Sequence, residues 1–127
     1  MLKRKITAKL EAWKAIACEK VLLVVGARQV GKSFAIREFG KANYACFVEI
    51  NLFEDKRARE ALSAASDASD FISRVTVLSG QAIVPGDTLV FIDGIQEAPD
   101  VVTMAKFLVE DGRCSWAFSG SMLGTEF

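Results

Sequence analysis

The stretch Gly26-Ala27-Arg28-Gln29-Val30-Gly31-Lys32-Ser33 fits the pattern G-x-x-x-x-G-K-[ST], which is typical of a loop that wraps around phosphate groups. The apolar residues 21–25 precede it and predict a buried strand. Residues 32–40 follow it and predict a helix that ends near Gly40. Strand, glycine-rich loop and helix in this order form the context that supports the pattern. The alternative is a chance match in which Lys32 is a solvated surface lysine.

Each residue type in this stretch suits the binding of a polyphosphate. Gly26 and Gly31 let the backbone adopt conformations that a Cβ would forbid, so that successive N–H groups face one point. The following helix adds its unpaired N–H groups and the positive end of its dipole. Lys32 is expected to reach the β- and γ-phosphates, and the Ser33 hydroxyl to bind Mg²⁺. Arg28 and Gln29, inside the loop, are candidates to contact either phosphate or a neighbouring helix.

Composition and charge indicate a globular chain. Its 127 residues fit one domain, with 51% hydrophobic and 25% charged residues. The net charge is zero, so no overall field recruits nucleic acid, and the basic first 20 residues are interpreted as a solvated helix face. No apolar run reaches membrane-spanning length. Three widely spaced cysteines and no histidine predict reduced thiols in a cytoplasmic protein rather than a zinc site.

Strands and helices alternate along the predicted chain. An amphipathic helix is expected within residues 1–20, packed on the domain through Ile6, Leu10, Trp13 and Ala17. Strands are predicted at 21–25, 44–50, 88–92 and 114–118, and helices at 32–40, 55–64, 71–78 and 99–110. The first strand shows no alternation, so both its faces are expected to be covered. The sequence therefore predicts an α/β fold, a three-layer αβα domain with a mostly parallel sheet of four core strands.

A second group of candidate residues follows the third predicted strand. Asp93 ends that apolar strand, and Mg²⁺ is a hard ion that is often held by one carboxylate and retained waters. The alternative is an aspartate that only starts the next loop. Gly94 offers no base, whereas Glu97 is a weak candidate base or an exposed acid at a helix entry. Because proton transfer contributes orders of magnitude in rate, nucleotide binding is expected to persist better than hydrolysis.

Ser119-Gly120-Ser121 follows the fourth predicted strand. The carboxyl ends of parallel strands border the ligand crevice, so a hydroxyl of Ser119 or Ser121 is expected to sense the γ-phosphate. A serine–glycine turn that only leaves the strand is the alternative.

Three segments together resemble a known family. They are Gly-Ala-Arg-Gln-Val-Gly-Lys-Ser (26–33), Phe-Ile-Asp-Gly-Ile-Gln-Glu-Ala-Pro (91–99) and Ser-Gly-Ser-Met-Leu-Gly (119–124). They look like the AAA-type, archaeal-type-like P-loop ATPases of bacteria and archaea that carry an uncharacterised C-terminal domain. The resemblance implies an additional-strand P-loop domain that binds ATP and Mg²⁺. Lys32 and Ser33 match its first motif, Asp93 its second, and Ser119 or Ser121 its sensor position.

The sequence departs from that family at two points. The family pattern has a glutamate where this chain has Gly94, so weak or absent ATP hydrolysis is expected. Family members also continue beyond position 127, so we expect an N-terminal fragment of the ATPase domain. Its first strand is then predicted to lie at an open edge or beneath the N-terminal helix, and an open apolar edge favours self-association.

Three hypotheses follow for function. The first is ATP binding with poor or absent hydrolysis; ATP is favoured over GTP because no Asn-Lys-x-Asp segment follows the loop. The second is an active ATPase completed by Glu97 or by a residue from a partner chain in a homo-oligomer. The third is a degenerate remnant that binds no nucleotide.

Overall fold

A computed structural model describes residues 2–16, 20–25 and 30–120, with side chains at 8–16, 20–23 and 34–120. The strands are β1 (Leu22–Val25), β2 (Cys46–Asn51), β3 (Thr88–Asp93) and β4 (Ser115–Gly120). The helices are α1 (Leu2–Lys14), α2 (Val30–Asn43), α3 (Lys56–Ser63), α4 (Ala68–Ser79), α5 (Pro99–Thr103) and α6 (Ala105–Asp111). A short 3₁₀ helix, Ile95–Glu97, lies between β3 and α5.

The four strands form one parallel sheet in the order β1-β4-β3-β2. Strand β4 is thus inserted between β1, which precedes the glycine-rich loop, and β3, which ends at Asp93. This is the additional-strand arrangement that the family resemblance implies. Because all strands run the same way, their carboxyl ends meet at one edge of the sheet, where α/β proteins bind ligands.

Two apolar layers cover the two faces of the sheet. On one face, Leu89 and Phe91 of β3 pack with residues of α1 and α2, including Leu10, Trp13 and Ile36. On the other face, alternate strand residues pack against helices α3 to α6; the buried set there includes Val48, Ile50, Val90, Ile92, Trp116, Phe118 and Phe71. Strand side chains alternate between faces, so each buried strand contributes to both layers. The predicted three-layer α/β fold is confirmed.

Local capping sets the starts of the helices between β2 and β3. The Asp55 side chain accepts a hydrogen bond from the Ala58 backbone N–H at 3.1 Å, directly before α3. The Asp67 side chain does the same for the Asp70 N–H at 2.8 Å, directly before α4. A side-chain acceptor at this position satisfies a backbone donor that the helix itself cannot pair. Helix α4 therefore begins at Ala68, three residues earlier than predicted.

The predicted end of α2 at Gly40 is wrong, because the helix continues to Asn43. Gly40 is a site of close approach between α2 and the sheet rather than a stop. A Cβ built at Gly40 would overlap the Phe47 ring and would lie 3.0 Å from Leu89 Cδ2. The Tyr44 N–H still donates to the Gly40 carbonyl at 3.1 Å, which delays β2 until Cys46.

We expect Gly40→Ala to lower the free energy of unfolding by about 1 kcal/mol or more, because overpacking of this kind costs about 1–3 kcal/mol. Helix propensity alone favours alanine by about 1 kcal/mol. The sign of the change in the free energy of unfolding therefore shows whether overpacking or helix propensity dominates. Urea unfolding measures it. In a Phe47→Leu background, Gly40→Ala is expected to lower the free energy of unfolding by less. A net stabilisation by Gly40→Ala in the unaltered chain would contradict the close approach of α2 to Phe47.

Two further boundaries differ from prediction. The helix predicted at 99–110 starts at Pro99 as expected but is interrupted at Met104. The Thr103 hydroxyl donates to the Asp100 carbonyl at 2.7 Å, and the Met104 N–H pairs with the Val101 carbonyl, three residues back. Strand β4 also runs from Ser115 to Gly120, so Ser119 and Gly120 belong to the sheet rather than to a turn.

Strand β1 lies at the edge of the four described strands, as predicted, with β4 as its neighbour there. Leu22 packs towards the layer that contains α1, but Leu23 on the opposite face is 41% exposed. The expectation that both faces of β1 are covered is therefore wrong at Leu23. Among the described residues, α6 reaches the start of β1, where Val21 shares a groove with Ala105 and Val109. Self-association through this edge stays a prediction.

The described cysteines are free thiols at the amino end of the sheet. Cys114 is buried, and burial raises the pKa of its thiol to about 12. Cys46 is half-buried, with its Sγ 3.5 Å from Gln81 Oε1. Cys18 lies outside the described residues. None of the described helices combines the length and the apolar character that a membrane span needs.

Candidate functional site

Two side chains meet at the carboxyl edge of the sheet. Asp93 ends β3 and is in register with Ser119 of the neighbouring strand β4. The Ser119 hydroxyl donates a hydrogen bond to Asp93 Oδ1 at 2.6 Å, at the short end of the usual range for hydrogen bonds between oxygen atoms. Ser119 is buried and Asp93 is half-buried. The carboxylate is thus held in one orientation while part of it still reaches solvent.

Backbone hydrogen bonds fix the strand ends around this pair. The Leu52 N–H donates to the Asp93 carbonyl at 2.8 Å, and the Gly94 N–H donates to the Ser119 carbonyl at 2.8 Å. On the far side, Asn51 Oδ1 accepts from the Phe53 N–H at 2.9 Å and turns the chain at the end of β2. The edge that carries Asp93 is therefore tied to the neighbouring strands by backbone hydrogen bonds, which a precisely held binding site requires.

Asp93 faces the layer that contains α2. It lies two residues after Phe91, which packs with α2 residues, and side chains two apart along a strand share a face. On α2, Arg37 makes two hydrogen bonds to the Glu49 carboxylate, at 2.7 and 2.9 Å. The pKa of Arg37 is raised, chiefly by the hydrogen bond to Glu49 and to a smaller extent by the charges of Glu49 and Asp93. The charge of Asp93 is thus close enough to Arg37 to contribute to the raised pKa of its guanidinium.

The start of α2 supplies the other half of the candidate site. Strand β1 ends at Val25 and α2 begins at Val30, so four residues connect the carboxyl end of β1 to the first turn of α2. This short connection keeps the unpaired N–H groups of that turn near the carboxyl edge of the sheet. Lys32 and Ser33 lie in this turn, and their side chains fall outside the described part. Gly26, Ala27, Arg28, Gln29 and Ser121 lie outside the described residues altogether.

Gly94 has a conformation that a side chain rarely adopts. Its φ is 84°, in the left-handed region. A Cβ at this position would meet the Phe53 ring at 2.8 Å and the Phe53 backbone nitrogen at 3.1 Å. The space that a glutamate would need is therefore filled, and the local backbone is built for glycine. Both the backbone conformation and the packing of Phe53 therefore disfavour a carboxylate-bearing side chain at position 94.

The two polar residues of the 3₁₀ helix after Gly94 differ in their exposure to solvent. Glu97, the candidate base, is exposed. Gln96 is half-buried, and a Cβ built at Gly120 would lie 2.6 Å from Gln96 Oε1. The Gln96 carboxamide therefore covers the end of β4.

Sequence reasoning assigned no role to Arg37, Phe53 or Gln96, which all lie around the end of β3. No local pattern marks Arg37 or Phe53, because their positions depend on packing between elements distant in the chain. The sequence held one signal for Gln96, because it is a polar residue three positions after an aspartate that ends a strand.

Comparison with protein families gives a match that covers most of the chain. The model of the AAA domain family matches residues 18–125. The chain belongs to the AAA domain family. Membership indicates a nucleotide-binding domain of the P-loop ATPase type, in agreement with the parallel sheet and with the loop pattern at 26–33. No curated protein matches this AAA domain.

Proposed function

We propose that this AAA domain binds ATP together with Mg²⁺ at the carboxyl edge of its sheet and hydrolyses the nucleotide slowly. The observation that carries the proposal is the 2.6 Å hydrogen bond from Ser119 to Asp93, which orients a carboxylate on the face of the sheet that α2 covers. The loop at 26–33 and the first turn of α2 supply the amide donors for the phosphates.

The residues at this edge fit a magnesium ion. Mg²⁺ takes oxygen ligands, retains several waters and is commonly held by one or two carboxylates plus substrate phosphates. Asp93 supplies such a carboxylate and Ser33 a hydroxyl. When bound, the ion neutralises charge on the phosphates. Ser119 contributes by holding Asp93. A contact of Ser119 or Ser121 with the γ-phosphate stays a prediction.

Slow hydrolysis follows from the surroundings of Gly94. A carboxylate that accepts the proton of the attacking water is absent at position 94, and Phe53 closes the space where it would stand. Loss of a general base costs about 10²–10⁴-fold in rate. The three segments at 26–33, 91–99 and 119–124 further support placing the chain among the archaeal-type-like ATPases.

Titration with a fluorescent ATP analogue in the presence of Mg²⁺ tests the proposal. Saturable binding that excess unlabelled ATP competes away is expected. Absence of saturable binding by a folded chain would support the degenerate remnant instead.

Asp93→Asn is expected to weaken binding of the analogue about tenfold when Mg²⁺ is present, which corresponds to about 1.4 kcal/mol. Without Mg²⁺ the affinity is expected to change little, because asparagine keeps an oxygen for the Ser119 hydroxyl but loses the charge that attracts the metal. Asp100→Asn, in the exposed first turn of α5, is the matched control. Equal losses with and without Mg²⁺ would remove Asp93 from the metal site.

A further inference from the structure

A groove between helices α4 and α6 carries apolar and acidic side chains together. Its volume is about 450 Å³, and the residues that line it include Asp67, Met104, Phe107, Glu110 and Asp111. Phe107 is 52% exposed and Met104 is half-buried. Three of the lining residues are carboxylates, and no basic residue lines the groove within the described part of the chain. The groove therefore suits a partner that brings both positive charge and apolar surface.

Glu110 is the carboxylate of this groove that is most available to a partner. The Asp67 side chain caps α4, and Asp111 accepts hydrogen bonds from Arg113 at 2.7 and 3.0 Å. Glu110 is exposed, and none of the ion pairs between described residues includes it. It follows Phe107 by three positions on α6, and residues three apart are neighbours on a helix surface. A negative charge thus lies beside an exposed aromatic ring.

The outer face of α1 offers a complementary surface. Residues 1–20 hold six basic and two acidic residues, a net charge of +4, so residues 21–127 carry −4. Lys9 and Ala12 are exposed on the side of α1 opposite to its buried residues, and Ile16, in the turn that follows, is 40% exposed. A lysine suits an acidic groove with an aromatic wall, because its methylene stem packs on apolar atoms while its ammonium group stays with the polar groups.

The two complementary surfaces lie on opposite faces of the sheet. Helix α1 packs with α2 on one face, whereas α4 and α6 cover the other face. One chain therefore cannot bring its own Lys9 onto its own Glu110, but two chains can. Their contact is head-to-tail, because each copy contributes a different surface. Such a contact leaves one surface of each kind open for further copies.

We propose that the outer face of α1 from a second copy of this chain docks into the groove between α4 and α6, with Lys9 against Glu110 and its stem along the Phe107 ring. Charge complementarity orients the two copies. This contact is distinct from pairing at the open edge of β1. The groove beside that edge is lined by Lys20 and Lys106 as well as by Glu110, so it selects no single sign of charge.

Sedimentation velocity of the full chain over a range of protein and salt concentrations tests the contact. The weight-average mass is expected to rise with protein concentration. The association constant is expected to fall when the ionic strength increases from about 0.1 M to about 1 M, because the screening length then drops from about 10 Å to about 3 Å. A chain that stays monomeric at every concentration, or an association constant that salt leaves unchanged, would overturn the inference.

Charge reversal tests the two surfaces separately. Lys9→Glu and Glu110→Lys are each expected to lower the association constant about tenfold, because each replaces an attraction by a repulsion of similar size. An equimolar mixture of the two variants is expected to regain the association of the unaltered chain, since Lys9 of one variant then meets Glu110 of the other. A mixture that associates no better than either variant alone would overturn the inference. Glu60→Lys, at an exposed position of α3, is the matched control and is expected to change nothing.

Phe107→Ser tests the apolar wall of the groove. It is expected to lower the association constant about tenfold, because buried aromatic residues dominate the energetics of interfaces. Val77→Ser is the matched control, since Val77 is 81% exposed on α4 and does not line the groove. Thermal unfolding establishes that each variant is folded. Equal losses from both serine variants, or association that only Leu23→Asp at the β1 edge abolishes, would overturn the inference.

Discussion

Lys32→Ala is expected to weaken binding of ATP about 100-fold, or by about 2.7 kcal/mol. Hydrogen bonds to charged groups contribute about 1.5–3 kcal/mol, and the lysine of this loop pattern contacts the β- and γ-phosphates. Titration with the fluorescent analogue measures the loss. The matched control is Lys41→Ala, which removes the same charge from the exposed last turn of the same helix. Similar losses from both variants would mean that the helix attracts the nucleotide only through its overall charge.

Gly31→Val tests the backbone part of the same site. Gly31 is the second residue of α2, and valine has a higher helix propensity than glycine, so the substitution should not weaken the helix. A side chain at this position is expected to keep phosphate away from the amide groups and to abolish measurable binding. Unchanged thermal unfolding with lost binding would support the close approach. Retained affinity would show that phosphate does not bind at this loop.

Much of the architecture was predictable because it depends on local signals. Apolar runs located all four strands, and the parallel order placed the ends of β3 and β4 side by side. The contact between Asp93 and Ser119 follows from that adjacency. The predicted strand nevertheless ends at residue 118, with a serine–glycine turn after it as one alternative, since serine and glycine favour turns when considered alone. Backbone hydrogen bonds next to β3, such as the one from the Gly94 N–H to the Ser119 carbonyl, extend β4 to Gly120 instead.

Two glycines, Gly40 and Gly94, show why the rest was not predictable. The sequence predicts a helix stop at Gly40, because glycine often follows a helix end. Gly40 lies inside α2, where the Phe47 ring of the next strand occupies the space that a side chain would need. At Gly94 the sequence shows only that a carboxylate is absent, whereas the structure adds that Phe53 packs against this glycine from the turn after β2. Both constraints come from residues that meet only in the folded chain.

The packing at Gly94 changes what a restoring substitution can achieve. Gly94→Glu supplies the carboxylate that the sequence lacks, yet we expect it to restore no hydrolysis and to lower the free energy of unfolding by about 2 kcal/mol or more. The left-handed backbone disfavours any side chain, and the overlap with Phe53 adds to that cost. Thermal unfolding and a phosphate-release assay measure the two effects.

Gly86→Glu is the matched control for this substitution. Gly86 has a similar φ of 81°, but nothing lies within 4 Å of a Cβ built there. The extra destabilisation of Gly94→Glu over Gly86→Glu therefore reports the contact with Phe53. Adding Phe53→Ala is expected to recover only part of that difference, because the Phe53 backbone nitrogen would remain 3.1 Å from the new Cβ. Robust hydrolysis by Gly94→Glu alone would show instead that this turn rearranges readily to accept a base.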